Sequence, residues 1–252
     1  MSCLVCYRNR WRNGEIVAVS SEDPQCSAEY TQDDSPQLFW RSTDDFDTAV
    51  TIDCDLGTAY EYDFIAILGH NLTSAADIII YGTNNPDFTT DTEHDHIAHH
   101  GNYIYKILDD SRTYRYIRIS ILNPTNGSGY LQVGTIIVGK AEYFNRMPSV
   151  PYQASQINET EVEYSPSANM FTVQEQPSAF AISVTFIGLN QSTAVMVENL
   201  IRECGSFKAF VLCLDSGNAN SKSDWLVLTD QGMLTNDHVD YWTWTLNAVE
   251  VL

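Results

Sequence analysis

Basic residues are scarce: 13 Lys plus Arg stand against 33 Asp plus Glu in 252 residues, a formal net charge of −20. So acidic a chain repels phosphate backbones, and specific nucleic-acid binding is not expected. Long apolar runs are missing too. The longest, 64–68 and 209–214, fall far short of the roughly 20 residues that cross a bilayer, so no membrane insertion is expected. Cysteine is sparse, at six, which is too few for a disulfide scaffold. Arg8, Arg10 and Arg12 are followed by no stretch of signal-peptide length, so the expectation is an unprocessed chain made in the cytoplasm with its thiols reduced.

Recognisable catalytic machinery is equally absent. No Gly-x-Ser-x-Gly elbow, phosphate-cradling loop, dinucleotide fingerprint or His-Glu-x-x-His unit occurs, so no enzyme and no cofactor are expected. Carboxylates are plentiful, as in Asp44-Asp45-Phe46-Asp47 and Asp109-Asp110, but none is singled out as an acid/base couple. The Asp-x-Asp-x-Asp-Gly spacing of a calcium loop is missing.

Two places have metal-ligand chemistry. Cys3-Leu4-Val5-Cys6 has the spacing of a zinc or iron-sulfur knuckle but lacks a second close pair. In 91–100, His94, His96, His99 and His100 sit among Asp91, Glu93 and Asp95, donors suited to zinc or nickel. The spacing fits no helical chelate, and Asn84, Asn85, Pro86 and Gly101 flank it as loop formers. A solvated loop tip, a pH-sensitive loop and a metal site all remain open, the last also as the basis of an enzyme reading.

What the sequence does contain is period-two alternation. Val50, Ile52, Cys54 and Leu56 fall on one face and Thr51, Asp53 and Asp55 on the other, a half-buried strand ended by Gly57. Further strands are expected at 64–68, 77–81, 102–107, 114–121 and 131–138, and no stretch before 147 reads as a long helix. Met147-Pro148-Ser149-Val150-Pro151 breaks regular structure, which places a boundary between domains 1–147 and 148–252. The second half has strands at 157–164, 179–186, 208–214, 225–228 and 241–251. One helix, 192–204, carries Val197, Leu200, Ile201 and Cys204 on a face, with Asn190 or Ser192 as N-cap and Gly205 as its stop. Trp242 and Trp244 share a strand face, where aromatics this large usually pack in a core. The expected class is mainly β: an N-terminal jelly-roll β-sandwich, then a second small β-sandwich carrying one α-helix.

Four segments in order resemble a discoidin or coagulation-factor C-type module, a galactose-binding-like jelly roll, over about 20–144. They are Phe39-Trp40-Arg41-Ser42, Thr51-Ile52-Asp53-Cys54-Asp55-Leu56-Gly57, Tyr114-Arg115-Tyr116-Ile117-Arg118-Ile119 and Val133-Gly134-Thr135-Ile136-Ile137-Val138-Gly139. That resemblance implies a rigid sandwich whose end loops bind glycans, lipids or proteins; Trp40, Tyr60 and Tyr62 are candidate sugar-stacking groups, with core packing the alternative for Trp40. Phe64-Ile65-Ala66-Ile67-Leu68-Gly69-His70-Asn71-Leu72-Thr73 is similar to discoidin-like modules of phage structural proteins.

From about 179 to 252 the chain resembles the distal tail protein family of long-tailed phages, which includes the minor tail protein M of lambda-like viruses. The resemblance lies in Ile182-Ser183-Val184-Thr185-Phe186, in the helix end Cys204-Gly205-Ser206-Phe207-Lys208-Ala209-Phe210, and in Trp244-Thr245-Leu246-Asn247-Ala248-Val249-Glu250-Val251. It implies a virion protein, assembled in the host cytoplasm, that forms a ring, by expectation a hexamer, at the distal end of the tail tube. The tube and the tail-tip, hub or baseplate proteins would be its neighbours. An acidic lumen would let DNA slide past without binding. The expected function is therefore this structural ring with an outward β-sandwich; the alternative is a lectin-like receptor-recognition module for host surface glycans.

Overall fold

The computed structural model describes residues 2–43, 48–90, 92–99, 103–150, 153–157, 160–164, 170–174, 179–215, 223–230 and 232–251. They divide into two compact units. One is chiefly Val5–Glu142; the other is chiefly Tyr143–Gly217 and Asp224–Leu252, with the first residues up to Leu4. The chain is mainly β, with sandwich-type sheets, as its alternating sequence implies.

In the first unit, strands run in the order Glu15–Val19, Val50–Leu68, Tyr103–Leu122, Asp77–Thr83 and Glu93–Ile97, and Thr135–Gly139 pairs with Val50–Leu68. Two long strands, Val50–Leu68 and Tyr103–Leu122, form the framework. Residues 50–55 pair antiparallel with 116–121, and after two register shifts 64–68 pair with 103–107. Gly57 does not end its strand as expected. It sits at φ 81 and donates its N–H to Asp55 Oδ1 at 2.7 Å, so the chain bends through an irregularity and goes on pairing. The strands expected at 50–56 and 64–68 are thus one strand, and those at 102–107 and 114–121 are another.

Alternation decides what each strand buries. Ile52, Cys54, Ile117, Ile119, Ile78 and Ile80 all lie in one core cluster with Trp11 and Trp40, and each aliphatic side chain of that size stabilises by about 1.5–3 kcal/mol. The opposite face is polar yet still covered at Asp53, which Arg118 grips from the neighbouring strand, Nε to Oδ1 at 2.6 Å and Nη2 to Oδ2 at 2.7 Å. The Phe88 ring in turn lies 4.2 Å from that guanidinium.

The second unit has the strand order Phe210–Cys213, Ser223–Asp230, Tyr241–Glu250, Ala179–Leu189 and Gln153–Ile157, with Leu234–His238 also on Tyr241–Glu250. Thr160–Tyr164 and Met170–Gln174 form a separate two-stranded ribbon. The helix, Gln191–Cys204, begins where the sequence reads a cap: Asn190 Oδ1 accepts the Thr193 N–H at 2.9 Å, and Gly205 at φ 52 stops it. Val197, Leu200 and Cys204 are fully buried. Trp244 is buried in a stack with Phe186 and Phe144, the last two 4.2 Å apart, so it has no ring face to offer a sugar.

Candidate functional site

The aromatic residues picked from the sequence do not meet at one surface. Trp40 is fully buried and donates its indole N–H to Ser21 O at 3.1 Å, the core-packing alternative. Tyr62 is 2% exposed, and burial pushes its phenol well above the ordinary tyrosine range. Tyr60 is half-buried, with the Arg10 guanidinium 4.2 Å from its ring centre. Two of the three therefore offer a sugar no face.

A different set of side chains gathers beside Trp40. The short strand Trp40–Arg41 pairs with Gln132–Val133, so alternation sends Trp40 inward and turns Arg41 to the other side. Ser42, inward again, accepts the Leu131 N–H at 2.9 Å and donates its own N–H to Leu131 O at 3.0 Å. Arg41 Cζ lies 4.5 Å from the Tyr130 ring centre and 5.9 Å from that of Phe39. Leu38, one residue before Phe39, is 44% exposed.

Asparagines fix the loop that carries Tyr130. Asn71 donates from Nδ2 to Tyr130 O at 2.9 Å and accepts the Gln132 N–H at 2.8 Å. Asn126, 5% exposed, donates to Asn71 O and Tyr130 O, both at 3.2 Å, and accepts the Ser128 N–H at 3.0 Å. The backbone around Tyr130 is held by amide side chains, which fixes the point from which the ring projects.

Arg41 differs from the guanidiniums on the outer face of the sheet. Arg115 and Arg118 are each held by a bidentate carboxylate, Asp55 at 2.8 Å for both bonds and Asp53 at 2.6 and 2.7 Å. Arg41 meets Asp23 only at 4.0 Å, and its buried Nε has no hydrogen-bond partner. Two aromatic rings and the guanidinium between them form a ledge, apolar on the rings and polar at the charged group. Such a ledge can take a flat apolar face and hydrogen-bond its edge.

The metal candidates do not form one group. His94 and His96 are exposed on Glu93–Ile97, His99 turns its Nε2 to Leu72 O at 3.0 Å, and His100 and Asp91 lie outside the described residues. Among the described residues no three His, Cys, Asp or Glu side chains gather to hold an ion. Cys3 and Cys6 are buried, and burial, aided by Cys213, pushes the Cys3 thiol to about 12, the wrong direction for a thiolate ligand. None of the six cysteines is joined in a disulfide.

No family model matches this chain, and no curated protein matches it. Solved structures of carbohydrate-binding modules resemble about half of it. Chitosan-binding module 1 of a chitosanase/glucanase from Paenibacillus sp. IK-5 is 19% identical, with TM-score 0.41, covering 52% of this chain and 98% of that one. The CBM32-1 module of a family 31 glycoside hydrolase from Clostridium perfringens is 16% identical, with TM-score 0.41, covering 53% and 99%. The lectin domain of lectinolysin, solved with Lewis B antigen, is 13% identical, with TM-score 0.42, covering 54% and 98%.

Proposed function

We propose that the Val5–Glu142 unit is a carbohydrate-binding module that seats a neutral sugar on the ledge of Tyr130, Arg41 and Phe39. The observation that carries this reading is the Arg41 guanidinium lying over two aromatic rings with its carboxylate contact stretched to 4.0 Å. A pyranose has an apolar C–H face, which an aromatic ring covers, and a rim of hydroxyls, which a planar set of N–H donors reads. The net charge of −20 repels anionic glycans and so favours an uncharged one. On this reading the unit holds its ligand and transforms nothing. A glycan array probed with the full chain tests it: the Arg41→Ala and Tyr130→Ala variants lose the hits that the unmodified protein shows, and hits that survive both changes would remove the ledge from the account.

A second reading concerns Tyr143–Gly217 and Asp224–Leu252. Phe207, Met233 and Val239 are each more than 70% exposed there, at 72, 73 and 74%. The Thr160–Tyr164/Met170–Gln174 ribbon pairs with no third strand among the described residues. A two-stranded ribbon is marginal alone in water, and bare apolar side chains favour contact with neighbours. These features support contact with neighbouring subunits; the assembly we propose is the phage tail ring that the sequence resemblance implies, with copies of itself and with tube and hub proteins as partners in a virion. Sedimentation of the full chain tests this. A ring gives a multiple of 28.4 kDa, and a monomer at every concentration contradicts it.

A further inference from the structure

We propose that His94 and His96 form a two-histidine seat for a divalent late-transition ion such as Ni²⁺ or Zn²⁺, with Asp77 positioning one of the imidazoles. This site lies apart from the sugar ledge and does not depend on it. Glu93–Ile97 is the end strand of its sheet. His94 and His96, two residues apart, fall on the same side of it, opposite Tyr81 and Ile79 of the neighbouring strand. Both are exposed.

Their ring centres are 6.0 Å apart, with planes at 78°. Two imidazoles that share an ion at about 2.0–2.1 Å per bond hold their ring centres roughly 4.5–6.5 Å apart, depending on the bond angle. The pair is therefore already spaced for one ion.

Orientation is supplied by Asp77, whose Oδ1 lies 3.0 Å from His96 Nδ1. A carboxylate there holds the proton on Nδ1 and leaves the Nε2 lone pair for a ligand bond. Among the described residues no hydrogen bond engages the His94 imidazole, whose ring neighbours are those of Tyr81 at 5.9 Å and His96 at 6.0 Å. The acidic side chains of the same strand are engaged elsewhere: Glu93 meets Arg112 at 3.2 Å, and Asp95 meets Arg112 at 3.6 Å and Lys106 at 3.5 Å. Lys106 also donates to His96 O at 2.7 Å, which ties the strand's backbone down next to the seat.

A second histidine pair shows what a non-site looks like. His70 and His99 have ring centres 5.5 Å apart, yet His70 Nδ1 accepts the Leu72 N–H at 3.2 Å and His99 Nε2 lies 3.0 Å from Leu72 O. Those nitrogens are spent on the backbone of the Leu72 loop. With two protein donors, the seat on Glu93–Ile97 leaves the ion's remaining positions to water, and imidazole donors select Zn²⁺, Ni²⁺ or Cu²⁺ over Mg²⁺ or Ca²⁺.

The test is calorimetric titration of untagged full chain with NiCl₂, alongside nitrogen-15 NMR of the histidine side chains during ZnCl₂ addition. The expected result is one saturable ion, with Zn²⁺ shifting the Nε2 signals of His94 and His96. Affinity falls at least tenfold in His94→Ala and in His96→Ala, and by a smaller factor in Asp77→Asn, while His99→Ala is unchanged. No saturable binding, or binding that survives the His94→Ala/His96→Ala double change, overturns the proposal. Loss of sugar binding leaves it standing, since the two sites share no residue.

Discussion

The guanidinium carbon of Arg41 lies 4.5 Å from the ring centre of Tyr130, which is carried by a loop pinned by Asn71 and Asn126. The pairing joins an outward position of a two-residue strand to a loop far along the chain. It depends on Trp40, one residue earlier, being locked in the core. Trp40→Ala is therefore expected to cost about 3–5 kcal/mol by emptying the core and to loosen the ledge with it. Denaturant unfolding and ligand affinity measured on the same variant check both effects.

Arg118 and Asp53 give the clearest stability prediction. Asp53 is 4% exposed, and Arg118 supplies both of its strong hydrogen bonds. Arg118→Ala leaves a buried carboxylate without its partner and is expected to cost about 3 kcal/mol. Removing both partners should cost less than the two single changes added together, because no uncompensated charge remains. A double-mutant cycle by urea unfolding measures this; strict additivity would show that the pair is uncoupled.

Acid unfolding should report the next pair along the same strands. Hydrogen bonding to Arg115 holds the Asp55 carboxyl below its usual range. A carboxylate depressed in the folded state stabilises fully above its unfolded pKa, about 3.9, and that contribution is lost as pH falls through the lower folded value. Arg115→Ala removes it, so the acid limb of the circular-dichroism titration should move to higher pH. An unmoved limb contradicts the assignment.

Thiol chemistry gives a test that needs no mutation. Burial pushes Cys3 and Cys54 to about 12, and Cys6, Cys204 and Cys213 are also buried, whereas Cys26 is half-buried. A thiol reagent at pH 8 should react quickly with Cys26 and reach the other five only after denaturation. Fast labelling of Cys54 in the folded protein would contradict the packing of its strand.

Gly134 tests how tightly the loops around the ledge are held. A Cβ there would come within 2.6 Å of Pro36 O and 3.1 Å of Leu68 O, both backbone atoms that cannot swing aside. Gly134→Ala is expected to destabilise by about 2 kcal/mol or more, read as a lowered thermal midpoint.

Much of the β framework was legible because alternation is a local signal. Val50, Ile52, Cys54 and Leu56 are all buried, and the helix begins at Asn190 and ends at Gly205 as its capping residues imply. Continuity was not legible: Gly57 reads as a stop, and only the pairing partners across the sheet show that it is a bend. The ledge was half legible. Phe39-Trp40-Arg41-Ser42 stood out for its tryptophan, but a tryptophan that anchors a strand is buried by that role, so the exposed chemistry falls to Arg41. Nothing in the spacing of 123–131 marks Tyr130, whose position is set by hydrogen bonds to Asn71 and Asn126. The histidine cluster read as one group because its members are close in sequence. Strand alternation divides it, pairing His94 with His96, while His99, beyond the end of Glu93–Ile97, goes to the Leu72 loop.

The most direct test of the account is a calorimetric titration of a neutral array-selected glycan into the full chain and into Tyr130→Ala and Arg41→Ala. The account predicts a saturable isotherm that weakens at least tenfold, about 1.4 kcal/mol or more, in each variant while thermal midpoints stay within a few degrees. An isotherm unchanged by either substitution, or no heat with any neutral glycan, would contradict it.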